Sequence, residues 1–304
     1  MKRTAIVTGI LALATWTVAQ SYGQAPSGSQ PTSAQSAPAQ AAPAQGAPAQ
    51  PAGKRPPQAK TQPEFDAYKA AASSTDAASL DKTADDFATK FPDSELRVLL
   101  YKNAMRQYQA ANNAEKTEAM GRKLLTLDGD DPEALTTVSE VIAERTRDSD
   151  LDRDQRFDEA IKMAQKAATT VDTDVSVPAG TPQEKIDAYK ALLRSNAYSV
   201  IGTIEYKKEN YPQAHVDLQK SIDAYPSSPD AVVVLRLALT MDKEATAASD
   251  ADKPKMYADA LKVANRAVEL TQDNTVVGTT ARRERDRLQQ LTGGTPAAAQ
   301  APKN

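Results

Sequence analysis

Cysteine is absent from the 304 residues, which excludes disulfides, thiolate metal sites, thiol nucleophiles and an acylated cysteine anchor. Histidine occurs once, at His215, so the usual acid-base and zinc constellations lack their members. Glycine is limited to 12 residues, and none forms a phosphate-cradling loop. Aromatic residues make up only 5% of the chain, and Trp16 is the single tryptophan. After residue 63 Ala, Lys, Glu, Asp, Gln and Leu dominate, a mixture that favours helix over sheet. Neither sign of charge is in surplus, with 37 Lys plus Arg against 40 Asp plus Glu, so nucleic acid is not an expected partner. The apolar run Ala5 to Ala19 is shorter than the ~20 residues a membrane helix needs.

That run follows Lys2 and Arg3 and ends in Thr17-Val18-Ala19 before a polar stretch, the pattern of a secretory signal peptide over residues 1–19. Export is expected, to the periplasm or beyond, with membrane attachment only if the signal is retained. Cleavage would remove two positive charges and no negative one, taking the formal net charge of -3 to about -5. Residues 20–63 contain no Asp or Glu, and Ala-Pro-Ala-Gln recurs at Ala37, Ala42 and Ala47. Such a segment cannot bury a core and is expected to be a disordered Pro/Ala/Gln-rich tether. Residues 292–304 are expected to be a similar tail, leaving 64–291 as the folded part.

Within it, helix-period segments are separated by Phe91-Pro92-Asp93-Ser94, Gly129-Asp130-Asp131-Pro132 and Tyr225-Pro226-Ser227-Ser228-Pro229. Pro132 and Pro229 suit a first helical turn, and Ser94 and Asp131 suit caps. The longest break, Val171 to Thr181, is expected to mark a bend between two sub-blocks. The clearest unit runs from Asn196 to Pro229. Tyr198, Ile201, Gly202 and Glu205 share one helical face and Tyr211, Ala214, Leu218 and Ser221 another, with Asn210 between them and Pro226 at the end. Gly202 and Ala214 would let two antiparallel helices approach closely.

This unit resembles the tetratricopeptide repeat (TPR), departing from it at Glu205 and Ser221. Weaker copies are carried by Tyr101, Ala104, Met105 and Tyr108 with Thr117, Gly121, Leu124 and Leu127; by Leu135, Val138, Ser139 and Ile142 with Phe157, Ala160, Ala164 and Ala167; and by Val232, Leu235 and Leu239 with Tyr257, Ala260, Ala264 and Ala267. Charged or polar insertions, Arg145 to Arg156 and Thr246 to Pro254, interrupt the period. An opening pair, Glu64 to Ser73 and Asp76 to Lys90, has an ending similar to that of tetratricopeptide proteins of the bacterial cell envelope. A last helix, Thr275 to Leu291, reads as a solvated cap. The expected fold is all-α, a TPR-like right-handed solenoid of antiparallel helix pairs.

The resemblance implies a scaffold or adaptor that binds other proteins or peptides on its concave surface, with self-association among the forms it can take. A subunit of a wall-acting enzyme and a mechanical spacer are the alternatives. No catalytic set, metal site or cofactor is expected, since His215 stands alone and the run Asp148 to Asp154 lacks the Gly and terminal Glu of a calcium loop. The flank expected to line the concave face comprises Lys102, Asn103 and Arg106, then Glu133 and Glu140, then Asn196, Thr203 and Lys207. Lys102 and Arg106, one turn apart, could hold a carboxylate together, although the full basic-and-Asn clamp of tail-binding family members does not recur.

Overall fold

The computed structural model describes residues 54–178, 180–272 and 274–293. The expected signal peptide, most of the tether and the tail from residue 294 lie outside them. Among the described residues there are eleven helices and no strand: α1 (Gln62–Ala72), α2 (Ala77–Lys90), α3 (Arg97–Ala110), α4 (Ala114–Leu127), α5 (Pro132–Arg145), α6 (Arg153–Thr170), α7 (Gln183–Lys207), α8 (Tyr211–Ala224), α9 (Ala231–Ala247), α10 (Lys253–Glu269) and α11 (Val276–Leu291). The ordered chain starts before the expected residue 64, because Thr61 accepts from the Glu64 N–H and Pro63 sits in the first turn of α1. Asp76, Asn113, Asp131, Asp230 and Thr275 cap α2, α4, α5, α9 and α11 in the same way, each worth ~1 kcal/mol. Two expected start signals are displaced. Ser94 accepts from Leu96 N–H ahead of α3 rather than capping it, and Pro229 precedes the cap of α9.

Each helix packs on the next, so the chain forms a tetratricopeptide-like solenoid of antiparallel pairs. The turns inside the second and fourth pairs repeat one another. Asn112 and Glu209 both take positive φ, 55° and 59°. The residue after each, Asn113 or Asn210, donates its N–H to a carbonyl five residues back, Tyr108 or Glu205, at 2.9 Å. At Gly202 a Cβ would lie 2.7 Å from Leu218 Cγ and 2.9 Å from Leu218 N, so the absence of a side chain is what lets α7 and α8 touch. Ala160, Ala164 and Ala167 on α6 and Ala260, Ala264 and Ala267 on α10 form equivalent buried stripes of small residues. The expected insertions supply only the turns before α6 and α10.

Three expectations change. The interval after Val171 does not interrupt the stack: Val171 and Val175 pack with Leu193, and α7 runs three turns earlier than Asn196, keeping contact with both α5 and α6. On α9 the expected Leu235 is buried, together with Val233, Val234, Leu237 and Ala238, whereas Val232 is 38% exposed and Leu239 half-buried. Seven of the eight residues from Val232 to Leu239 are apolar, and Arg236 alone is too little to set the register. Finally, α11 is more than a solvated cap, since it buries Ala281, Glu284 and Leu288, and Arg287 pairs with Asp242 of α9.

Candidate functional site

Among the odd-numbered helices α1 touches α3, α5 touches α7, α7 touches α9 and α9 touches α11, whereas no two even-numbered helices meet to a comparable extent. Closer approach on one side than the other curves the stack. The odd helices therefore line its inner face, as the resemblance implied.

Side chains that reach from one odd helix to another identify that face residue by residue. Arg106 of α3 grips Glu133 of α5 through Nε and Nη2 at 2.5 and 2.6 Å, and the Tyr189 hydroxyl of α7 donates to the same carboxylate at 2.7 Å. Lys102 pairs with Asp131, whose other oxygen accepts from Ala134 N–H at the start of α5. On its own burial would raise the Glu133 carboxyl; Arg106 and Lys102, helped by the Tyr189 hydroxyl, outweigh it and hold it at about 2. Further along, Arg236 of α9 donates to Thr203 of α7 at 2.7 Å. Lys207 at the end of α7 donates to the carbonyls of Ala143 and Thr146, closing the C-terminus of α5, with its ammonium 5.6 Å from the Phe157 ring. Burial lowers the Lys207 ammonium from its ordinary range.

The expected carboxylate clamp is thus corrected. Lys102 is buried, with only 11% of its side chain exposed, and Lys102 and Arg106 are already matched by Asp131 and Glu133. Glu133, Thr203 and Lys207 are likewise engaged within the fold. Asn103 and Asn196 are half-buried, and their side chains have no hydrogen-bond partner among the described residues. Glu140 is the exception among the charges. It keeps part of its surface in water, has no described hydrogen-bond or ion-pair partner, and faces Glu144 one turn on and Asp230 ahead of α9. Burial first, then repulsion from Glu144 and Asp230, pushes its carboxyl up to about 7.

Of the expected packing residues, Ile201, Gly202, Ala214 and Leu218 are buried. Tyr198 and Tyr211 are half-buried, the latter edge-on to Tyr206 with ring centroids 5.7 Å apart. Pro226 lies exposed just past α8 and packs on nothing central. Tyr189, Asp131, Arg236 and Asp230 were not anticipated as groove residues. Only Asp131, as a cap, carried a sequence signal. His215 accepts or donates at 2.7 Å to Glu244 on the neighbouring helix. No group of three or more His, Cys, Asp or Glu among the described residues is placed to hold a metal.

The geometry defines the class: a tetratricopeptide-like helical-repeat solenoid with a polar inner face. No protein-family model and no curated protein sequence matches the chain. Among solved structures, the human IFIT1 dimer with m7Gppp-AAAA is similar, at 14% identity and a TM-score of 0.37 over 71% of this chain. The chain spans about half of that protein, 52% of its length. At that score the overall courses differ too much for the ligand of one to inform the other.

Proposed function

We propose that this chain is an exported bacterial scaffold that holds segments of partner proteins along the inner face of its solenoid. The observation that carries this reading is the set Asn103, Glu140 and Asn196. These polar side chains stand on three successive odd helices and are unused by the fold, while Lys102, Arg106 and Glu133 beside them are matched. Unmatched polar groups on a concave face are what an extended polypeptide can complete with its own backbone and side chains. Glu140, with Glu144 one turn away, is an acid without an ion-pair partner, so the segment that fits there brings a Lys or Arg rather than the acidic end that Lys102 and Arg106 would have required. Placement in the envelope is supported by the N-terminal signature and by the likeness of the opening pair's ending to tetratricopeptide proteins of the bacterial cell envelope.

The test is site-specific photo-crosslinking in cells. A photoreactive residue replacing Asn196 is expected to capture discrete proteins, and one replacing Val216, exposed on the outer helix α8, is not. Capture at Asn196 is expected to fall when Glu140→Lys is added. Equal capture from both faces, or capture indifferent to Glu140, overturns the groove as the binding surface. An N-terminal mass that retains Trp16 in the purified protein overturns signal cleavage.

A further inference from the structure

Residues 54–60 run as an extended strap along one edge of the solenoid, past the turns that lead into α3, α5 and α7. Arg55 donates from Nη1 and Nη2 to the two carboxylate oxygens of Glu95 at 2.8 and 2.6 Å, and the Gln58 N–H reaches the same carboxylate at 3.2 Å. Lys54 Nζ lies 2.6 Å from Asp128 and 3.7 Å from Asp174. Lys60 Nζ donates to the Asp93 carbonyl at 2.8 Å. One short basic stretch thereby engages three consecutive inter-repeat turns. Beneath it is a cavity of about 310 Å³ whose walls include Lys54, Pro57, Leu99, Leu127 and Ser176. The Ser176 hydroxyl is buried there without a hydrogen-bond partner.

The carboxylates of this trough differ from their neighbours in what holds them. Asp131 is matched by Lys102 and Asp130 by Lys166, both from helices of the solenoid. Glu95, Asp128 and Asp174 have described cationic partners only on the strap. The strap itself is lightly held. Lys54 and Arg55 keep 40% and 65% of their side chains exposed, and exposed ion pairs of this kind are weak and screened by salt. Its detachment would leave the α1 core of Phe65, Tyr68 and Ala71 in place. What remains would be an acidic trough with an open cavity, its spacing set for two adjacent cations followed by extended, proline-containing backbone.

We propose that the trough formed by Glu95, Asp128 and Asp174 is a docking site for a polypeptide segment bearing two adjacent cations, which the chain's own Lys54-Arg55 occupies in cis until such a segment displaces it. The site lies on the turn edge rather than the inner face and stands independently of the groove reading. Self-occupancy sets a threshold: a segment tethered a few residues from its site competes at millimolar effective concentration. With the strap shut about nine-tenths of the time, a peptide in trans meets one site in ten and binds ~10-fold more weakly than its intrinsic affinity.

The experiment uses the full chain and a fluorescein-labelled peptide of residues 53–61, followed by anisotropy at low ionic strength. Lys54→Ser with Arg55→Ser in the protein is expected to tighten peptide binding ~10-fold over the unaltered chain. Adding Glu95→Arg and Asp128→Arg is expected to abolish it, with helix content by circular dichroism unchanged. A peptide carrying Ser in place of both cations is expected not to bind the opened protein. The proposal is overturned if the opened protein binds no more tightly than the unaltered one, or if the cation-free peptide binds as well as the basic one.

Discussion

Replacing Glu140 by Gln tests the electrostatics of the inner face directly. The carboxyl titrates at about 7 in the fold against 4.5 in the unfolded chain, because burial and the Glu144 and Asp230 charges oppose its ionisation. A carboxyl raised in this way leaves the fold at its most stable below pH 4.5, where it is protonated in both states. That advantage drains away as pH climbs to about 7, since the unfolded chain ionises first. The rise caps the penalty at roughly 3 kcal/mol, and partial contact with water reduces the expected value to about 1–2 kcal/mol. Glu140→Gln cannot ionise, so it is expected to stabilise the protein by that amount at pH 8 and by almost nothing at pH 4.5. Urea melts read by circular dichroism at the two pH values measure the difference. A gain of equal size at both pH values, or a loss at pH 8, would refute the assignment of Glu140 as an unpaired, half-buried acid.

Three further outcomes follow from the packing. Gly202→Leu is expected to lower the denaturation midpoint, because even a Cβ would press on Leu218 and its backbone nitrogen, and overpacking costs ~1–3 kcal/mol against ~1 kcal/mol gained in helix propensity; a midpoint at or above that of the unaltered protein contradicts the α7–α8 contact. Glu209→Gly is expected to raise stability by ~0.5–1 kcal/mol, since relief of positive-φ strain of ~1–2 kcal/mol exceeds the flexibility cost of glycine; no change in the melt would deny that strain. Lys102→Glu combined with Arg106→Glu is expected to cost at least ~3 kcal/mol by stranding Asp131 and Glu133, visible as lost helix at moderate urea, so the double change reports on folding rather than on partner binding; native stability in that variant rules out the network.

Much of the solenoid was legible because small residues at helical spacing leave a local signature. The Ala160, Ala164 and Ala167 stripe and the small residues Gly202 and Ala214 could be read directly from the chain, and each is buried as the repeat requires. Where the local signal was saturated the reading slipped. On α9 every residue from Val232 to Leu239 except Arg236 is apolar, and its inward set beyond Leu235 emerged only from packing. The first three turns of α7 escaped because only Ile186 and Leu193 are buried there, so they lack the packed stripe that marks the unit from Asn196. The strap was invisible because a stretch rich in Pro and Ala is ordered here by three distant carboxylates.

The inner-face charges show why site reading fails where fold reading succeeds. Lys102 and Arg106 stand one turn apart on a helix flank, and nothing within that helix distinguishes a free pair from a matched one. Their partners lie 29 and 27 residues later, close to one repeat length, on the first turn of the next odd helix. Arg236 finds Thr203 at a similar remove of 33 residues. In a solenoid, then, the fate of an inner-face charge is decided about one repeat away, where stacking sets the two helices side by side. Applied to α5, this rule separates its two acids. Glu133 faces the cations of α3 and is neutralised, whereas Glu140, further down the helix, lies near Glu144 and Asp230 and has no ion-pair partner among the described residues. The neighbouring repeats supply it with no ion-pair partner, so the inner face carries an unpaired acid at its middle, where the local sequence had suggested a free basic pair at Lys102 and Arg106.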